Sequence, residues 1–517
     1  MMAGLKTNNL CRLAYYFVWA LVLFAISIEM AQAQNQVATE PGRKNPIYVF
    51  LFIGDGMGMT QRYSAESYLG AIKNPSNPNL VKLATSGFPV LGMCTTYDLT
   101  SICPDSASTG TAIASGHKTT SGTLAMDPTG KIPYKSIATM AKEKGMKVGI
   151  VSSVSIDHAT PAVFYANQPT RSNHYDIAIQ LGKSGFDYFG GGGFLSPTGS
   201  NNDKPDAYEA AKKNGYVIVN NKNDFQALKP TGNKVYAYEA ALDSQKALYY
   251  DIDRSSDMIS LAEFTKKGIE LLDNPNGFFM MVEGGKIDWT NHANDARTSI
   301  NDTIALDNAV REAITFYNQH QDDTLIIVTA DHETGGMTIG WAGTRYVTFY
   351  QTLGGPTMSF DAFNTTYVAG YRKNGWKVTD QQLMADIRKA FGLDVDKLDA
   401  WQVKMIQDAL AASKAKAESK DTSRDRSANK AKSAATDKDA DSHRAPIDQT
   451  YVLYGGYEPL TVTLIHILNN NAGIGWTSYS HTGLPVPVFA RGPQSNQFSG
   501  FYDDTDIAKK LINIMGL

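Results

Sequence analysis

Cysteine is scarce in this chain, with three in 517 residues, which excludes a disulfide-dense scaffold. An excess of either charge is also missing. The 48 Lys and Arg stand against 51 Asp and Glu, a formal net charge of −3, so no basic footprint for specific nucleic-acid binding is offered. Beyond the N-terminal segment no apolar run is long enough for a membrane span, which needs roughly 20 residues. No internal repeat recurs, which argues against a solenoid. What is present is ordinary globular material. Hydrophobic residues make up 43% and charged residues 19%, which rules out a wholly disordered or collagen-like chain. The length suits several average domains, or one large α/β core with insertions.

The first segment reads as an address. Lys6 and Arg12 precede an apolar run from Leu13 to Ile28, and Ala31-Gln32-Ala33 follows as a small-x-small cleavage site. That order is the pattern of a secretory signal peptide over residues 1–33, and it predicts a periplasmic or secreted protein. A membrane anchor is the alternative, but the run is short for one. Cys11 would leave with the signal. Cys94 and Cys103 would remain, either bridged in an oxidising compartment or as two buried thiols.

Several short β-branched runs each end in polar, glycine-rich turns. Ile47–Ile53 leads to Gly54-Asp55-Gly56, and Val148–Val154 leads to Asp157-His158-Ala159-Thr160. Phe278–Val282 leads to Glu283-Gly284-Gly285, and Leu325–Val328 leads to Ala330-Asp331-His332. Helical patterns such as Tyr134–Lys144 and Ile259–Leu272 lie between them. The alternation predicts an α/β fold: a parallel-rich central sheet flanked by helices on both faces. Ligands of such sheets bind beyond the carboxyl ends of the strands. One strand ending in Asp or His is an ordinary turn; four together point to a site.

From about residue 340 to 475 the pattern is interrupted by a large insertion. It holds a helix-rich part, Asp380–Ala412, and a run from Ser413 to Arg444. That run has nine Lys or Arg, six Asp or Glu, and no Val, Ile, Leu, Met or aromatic residue. With nothing apolar to bury, 413–444 reads as a flexible surface segment, a solvated charged helix being the alternative. Strand character returns at Tyr451–Tyr454 and again at Val486–Ala490.

The chemistry concentrates at the strand ends. Asp55, Asp331 and His332 offer two carboxylates and an imidazole. Asp288 and His292 are four apart, so a helical turn presents both on one face. His481 stands just before a late strand. Mixed nitrogen and oxygen ligands suit zinc with open positions, and paired metals serve phosphoryl displacement. Asp55, Thr160 and Glu283 would form an oxygen-only site suited to magnesium. Ser106 follows Pro104-Asp105 at the start of a small-residue helix, where free N–H groups favour an anion, with Ser108 a rival nucleophile. Either serine is also a plain helix cap. Arg171, in a loop, could grip two phosphate oxygens.

Seven motifs in order then carry a resemblance. Phe52-Ile53-Gly54-Asp55-Gly56-Met57-Gly58, Asp105-Ser106-Ala107, His158-Ala159-Thr160-Pro161-Ala162, Val282-Glu283-Gly284, Asp288 with His292, Thr329-Ala330-Asp331-His332 and His481-Thr482-Gly483 resemble those of the alkaline phosphatases. The resemblance implies a catalytic domain over 34–517 that hydrolyses phosphate monoesters through a phosphoserine. It implies Ser106 as nucleophile and Arg171 as phosphate clamp. One zinc would take Asp288, His292 and His481, and a second would take Asp55, Asp331 and His332. Magnesium would take Asp55, Thr160 and Glu283. It further implies a homodimer, small phosphomonoesters as partners, and a crown-like role for the 340–475 insertion.

Two positions depart from the enterobacterial pattern, which has Asp and Lys where this chain has His158 and Trp289. The pair resembles that of marine and cold-adapted bacterial members and sits beside the third metal site and the substrate. A phosphodiesterase of the same superfamily, or a non-catalytic phosphate- or metal-binding protein, is the alternative. Ser106 together with Arg171 favours monoesters.

Overall fold

The structure, a computed structural model, describes residues 45–75, 79–418 and 448–517. The signal-peptide reading of residues 1–33 lies outside them. The fourteen strands among the described residues are β1 Tyr48–Ile53, β2 Val90–Thr95, β3 Lys147–Ser152, β4 Tyr188–Gly191, β5 Tyr216–Val219, β6 Lys234–Tyr238 and β7 Phe278–Glu283, then β8 Thr324–Thr329, β9 Glu333–Thr334, β10 Thr338–Ile339, β11 Ile474–Gly475, β12 His481–Thr482, β13 Val486–Arg491 and β14 Gly500–Asp503.

Ten of them form one sheet in the order β14-β2-β13-β8-β1-β7-β3-β4-β6-β5. Every pairing in it is parallel except those of β13 with β2 and β8. The central strands β1, β7 and β8 are buried along their whole length, which is why they read as unbroken apolar runs rather than alternating ones. Helices cover both faces. Leu261–Leu272, Ala296–Tyr317 and Met59–Lys73 form one group, and Ser106–Ser115, Ile137–Glu143 and Thr505–Met515 another.

The described residues form one compact unit, and the described part of the insertion belongs to it. Phe360, Phe363, Ile387, Leu460 and Leu464 build a second apolar core that also takes in Tyr68, Ala293 and Ile300 from the catalytic part. The insertion is thus packed beside the helices that carry site residues.

Two expectations are corrected here, and the open alternative for the cysteines is decided. Tyr451–Tyr454 is not a strand but the end of a helix, Gln449–Tyr454. The Asp448 side chain caps it by accepting from the backbone N–H groups of Thr450 and Tyr451, and Gly455 closes it in the left-handed region. Those local caps override the β propensity of Tyr and Val. The charged run 413–444 begins as helix, since Ala400–Glu418 continues through its first six residues. Ser413 is buried there and its Oγ accepts from the Leu460 N–H at 3.1 Å. The rest of that run lies outside the described residues. Cys94 and Cys103 are unbridged: Cys94 is enclosed in β2, while Cys103 sits exposed in the loop before the nucleophile. Among the described residues no helix is long and apolar enough to cross a membrane.

Candidate active site

The parallel register brings the strand ends level. Ile53 lies opposite both Glu283 and Thr329, and Ser152 lies opposite Glu283. The residues just past those ends, Asp55, Asp331 and His332, therefore converge with Glu283 on one edge. Gly56 is needed in the turn. Its φ is +68°, and a Cβ there would meet Thr334 Oγ1 at 2.7 Å and Asp288 Oδ1 at 3.0 Å. Its N–H instead donates to Asp331 Oδ1 at 3.2 Å. The two-residue pairing of β9 with β12 sets His481 opposite Thr334, which delivers a ligand from far along the chain. Asp288 and His292 lie on the short helix Lys286–His292, as their spacing requires.

Among the described residues three clusters result, each with ligand atoms within 4.8 Å of one another: Asp288, His292 and His481; Asp55, Asp331 and His332; Asp55, His158 and Glu283. The first two are the zinc sets expected from the sequence. The third brings His158 into the site itself, with Thr160 Oγ1 3.5 Å from Asp55 Oδ2.

Hydrogen bonds fix the histidine tautomers. The Nδ1 of His292 donates to the Tyr479 carbonyl and that of His481 to the Pro104 carbonyl, each at 2.6 Å. Thr334 Oγ1 donates to Asp288 Oδ1 at 2.6 Å and lies 3.2 Å from His332 Nδ1, so that nitrogen also carries the proton. All three rings then turn their Nε2 lone pairs inward. The Nε2 atoms of His292 and His481 are only 3.1 Å apart, and the rings of His332 and His481 stack at 3.7 Å. Two lone pairs facing each other call for a cation between them.

The carboxylates make the same case. Burial pushes the Asp331 carboxyl well above its usual range, and the nearby Asp288 charge adds to that. Burial likewise raises Glu283 to about 7. Burial would raise Asp288 too, but the His292 and His481 rings hold it well below the ordinary carboxylate range. His332 is driven well down by burial and by His481 beside it. Glu283 Oε1 and Asp331 Oδ2 are buried and accept no hydrogen bond. Such an uncompensated set of oxygens and neutral imidazoles fits divalent metals by donor type and by charge.

Ser106 opens the helix Ser106–Ser115, and Asp105 is its cap, accepting from the Ser108 N–H at 3.0 Å. The buried Ser106 Oγ lies 3.2 Å from His332 Nε2. Ser108 Oγ is engaged elsewhere, within 2.9 Å of Asp98 Oδ2, Asp105 Oδ1 and the Asp105 carbonyl. The fold thus separates two serines that composition leaves equal. Arg171 Nη1 donates to Asp105 Oδ2 at 2.8 Å, and its Nη2 lies 3.2 Å from His158 Nε2. Burial would raise Asp105, but Arg171 and two backbone N–H groups hold its carboxyl far below normal. Trp289 is half-buried, edge-on to His158 with ring centroids 6.0 Å apart.

Every site residue expected from the sequence falls in or beside this edge. Several supports escape sequence reading. Thr334 orients His332 and Asp288, the Tyr479 carbonyl orients His292, and Ser152 Oγ donates to Glu283 Oε2. Ser152 and Thr334 are uncharged strand residues that carry no motif, and the Tyr479 carbonyl has no side-chain identity at all. Asp105 stood next to Ser106 in plain view, but its grip on Arg171 is a tertiary contact.

A family model described as Alkaline phosphatase matches residues 44–517. Alkaline phosphatase 3 of Bacillus subtilis is 31% identical over 501 residues, covering 95% of this chain and 93% of the relative. Alkaline phosphatase 4 of the same organism is 30% identical over 500 residues, covering 94% and 92%. Among solved structures, the cold-active alkaline phosphatase of a psychrophilic Shewanella species superposes with a TM-score of 0.71 at 26% identity, covering 90% of this chain and 99% of that one.

Proposed function

The chain belongs to the alkaline phosphatase family, and on that premise we propose how its residues divide the work. It is a metal-dependent phosphomonoesterase. Ser106 is the nucleophile: its Oγ bonds to phosphorus as the ester oxygen departs with the alcohol. Water then attacks the phosphoserine, the P–Oγ bond breaks, and inorganic phosphate leaves with Ser106 restored. The developing negative charge meets the N-terminal end of a ten-residue helix. Arg171 grips non-bridging phosphate oxygens in a fork, and Asp105 keeps that fork in place.

Asp288, His292 and His481 would hold one zinc, and Asp55, Asp331 and His332 a second. Asp55, Thr160 and Glu283 would hold magnesium, with His158 at its side. Bound there, the metals supply Lewis-acid polarisation and lower the pKa of a hydroxyl or water. Export with loss of residues 1–33 would place the enzyme in the periplasm or outside the cell. The 340–475 insertion takes the crown position, and a homodimer follows by family analogy.

The observation that carries the assignment is the approach of Ser106 Oγ to His332 Nε2, at a helix N-terminus and amid two metal-ready clusters. Release of p-nitrophenol from its phosphate ester tests it. Wild-type turnover should vanish on chelation and return with zinc. A rate that survives in Ser106→Ala with metals bound would refute the nucleophile.

A further inference from the structure

Lys286 is 1% exposed at the start of the helix Lys286–His292, a costly place for an ammonium. Its Nζ donates to Asp243 Oδ2 at 2.7 Å. It also lies 3.8 Å from the ring centroid of Tyr250 and 4.5 Å from that of Trp289. The charge of Lys286 is felt further by Asp302 and Asp253. Nothing in the hydrolysis described above uses this group.

What the ammonium touches leads to the substrate. Lys286 and Trp289 are three residues apart, on one face of the helix. The Trp289 ring meets His158 edge-on, with 73° between the planes. His158 Nε2 is 3.2 Å from Arg171 Nη2, and Arg171 Nη1 is bound to Asp105. A guanidinium only donates, so His158 Nε2 accepts, and its ring orientation decides where Arg171 stands. An apolar side chain would fill the space of Lys286 without a desolvated charge. It would not hold the indole by its face.

We propose that Lys286, anchored by Asp243, is a positioning residue for the phosphate clamp. It pins Trp289, Trp289 seats His158, and His158 with Asp105 fixes the fork of Arg171. The inference rests on reading Arg171 as that clamp. The reach is indirect, so the effect belongs to phosphate affinity rather than to bond making.

The test uses the metal-loaded full chain and measures kcat, KM for p-nitrophenyl phosphate, the inhibition constant of inorganic phosphate, and Tm. Lys286→Met should raise KM and the phosphate inhibition constant about 3–10-fold, the scale of a lost desolvated cation–π contact, with kcat within about twofold. Lys286→Arg should restore wild-type values. Added to Trp289→Ala, Lys286→Met should have no further effect, because the path runs through Trp289. An unchanged inhibition constant accompanied only by a lower Tm would overturn the proposal. So would an equal rise with and without Trp289. If Lys286→Met does not fold, Asp243→Asn decides by the same measurements. Arg171→Ala separates the two levels. If it leaves phosphate inhibition unchanged, the clamp reading itself fails; if it weakens inhibition while Lys286→Met does not, only the present inference falls.

Discussion

His481 donates from Nδ1 to the carbonyl of Pro104 at 2.6 Å, which ties a candidate zinc ligand to the loop that presents the nucleophile two residues later. Metal set and serine are therefore mechanically one unit. Gly483 reinforces the tie, since a Cβ there would sit 2.6 Å from Ile102 Cγ2 in the same loop. Displacing either strand of this contact moves the serine and the ligand together.

The two serines of the helix start should separate by function. Ser106→Ala is expected to lose all measurable phosphatase turnover while keeping its circular dichroism and zinc content. Ser108→Ala should retain turnover but lose ~1 kcal/mol of stability, because its Oγ serves the Asp98 and Asp105 network at the helix cap. Denaturant unfolding and steady-state rates check both. The opposite pattern would reassign the nucleophile.

Metal removal should cost both rate and stability. Without a cation, the inward Nε2 pair of His292 and His481 and the buried Asp331 and Glu283 oxygens repel or go unsatisfied. Dialysis against EDTA is expected to abolish activity and lower Tm, and added zinc to reverse both. Occupancy at 100 times the dissociation constant stabilises by about 2.7 kcal/mol per site. Elemental analysis that finds no zinc in fully active protein would contradict this.

His466 gives the protein a specific acid weakness. It is half-buried in the helix Pro459–Ala472, with Nε2 3.1 Å from Asn294 Oδ1, and desolvation of its ring lowers its pKa from 6.5 to about 4. The unfolded chain takes up this proton near pH 6.5 while the folded one does not. Stability is therefore complete above pH 6.5 and declines as pH falls from 6.5 towards 4, by about 3 kcal/mol in all. His466→Gln should flatten that part of the stability curve relative to wild type under identical metal loading. Parallel curves for the two proteins would count against the assignment.

His158 controls the third cluster. It stands beside Asp55 and Glu283 where a carboxylate would add a third oxygen for magnesium; with its Nε2 accepting from Arg171, the imidazole adds no lone pair there. His158→Asp should make activity depend more steeply on added magnesium. It also replaces the acceptor that Arg171 meets at 3.2 Å, so phosphate inhibition should shift as well. Magnesium titrations of both proteins after chelation provide the check, and superimposable curves would leave His158 as a packing residue.

Much of the site was legible because it is local. A strand that runs out into Gly-Asp-Gly or Ala-Asp-His declares a carboxyl-end ligand within a few residues, and Asp288 with His292 declares a shared helix face. Those features follow from backbone periodicity alone, as do the buried strands β1, β7 and β8. The division into metal sets, the nucleophile and the clamp came from resemblance of ordered motifs to a known family, not from spacing.

The tertiary structure alone decided the remainder. Whether Ser106 or Ser108 reaches His332, that His158 joins Asp55 and Glu283, and that Asp243 anchors Lys286 all depend on contacts across tens to hundreds of residues. Such contacts follow from strand order, with β1 between β7 and β8, and side-chain periodicity carries no record of that order. Tyr451–Tyr454 shows the converse limit. Its β-prone residues were outweighed by the Asp448 cap and Gly455, in a short helix whose Leu453 carbonyl accepts from the Tyr479 hydroxyl. The sequence determined which chemical groups stand at the strand ends; the packing of the sheet and insertion determined which of them meet.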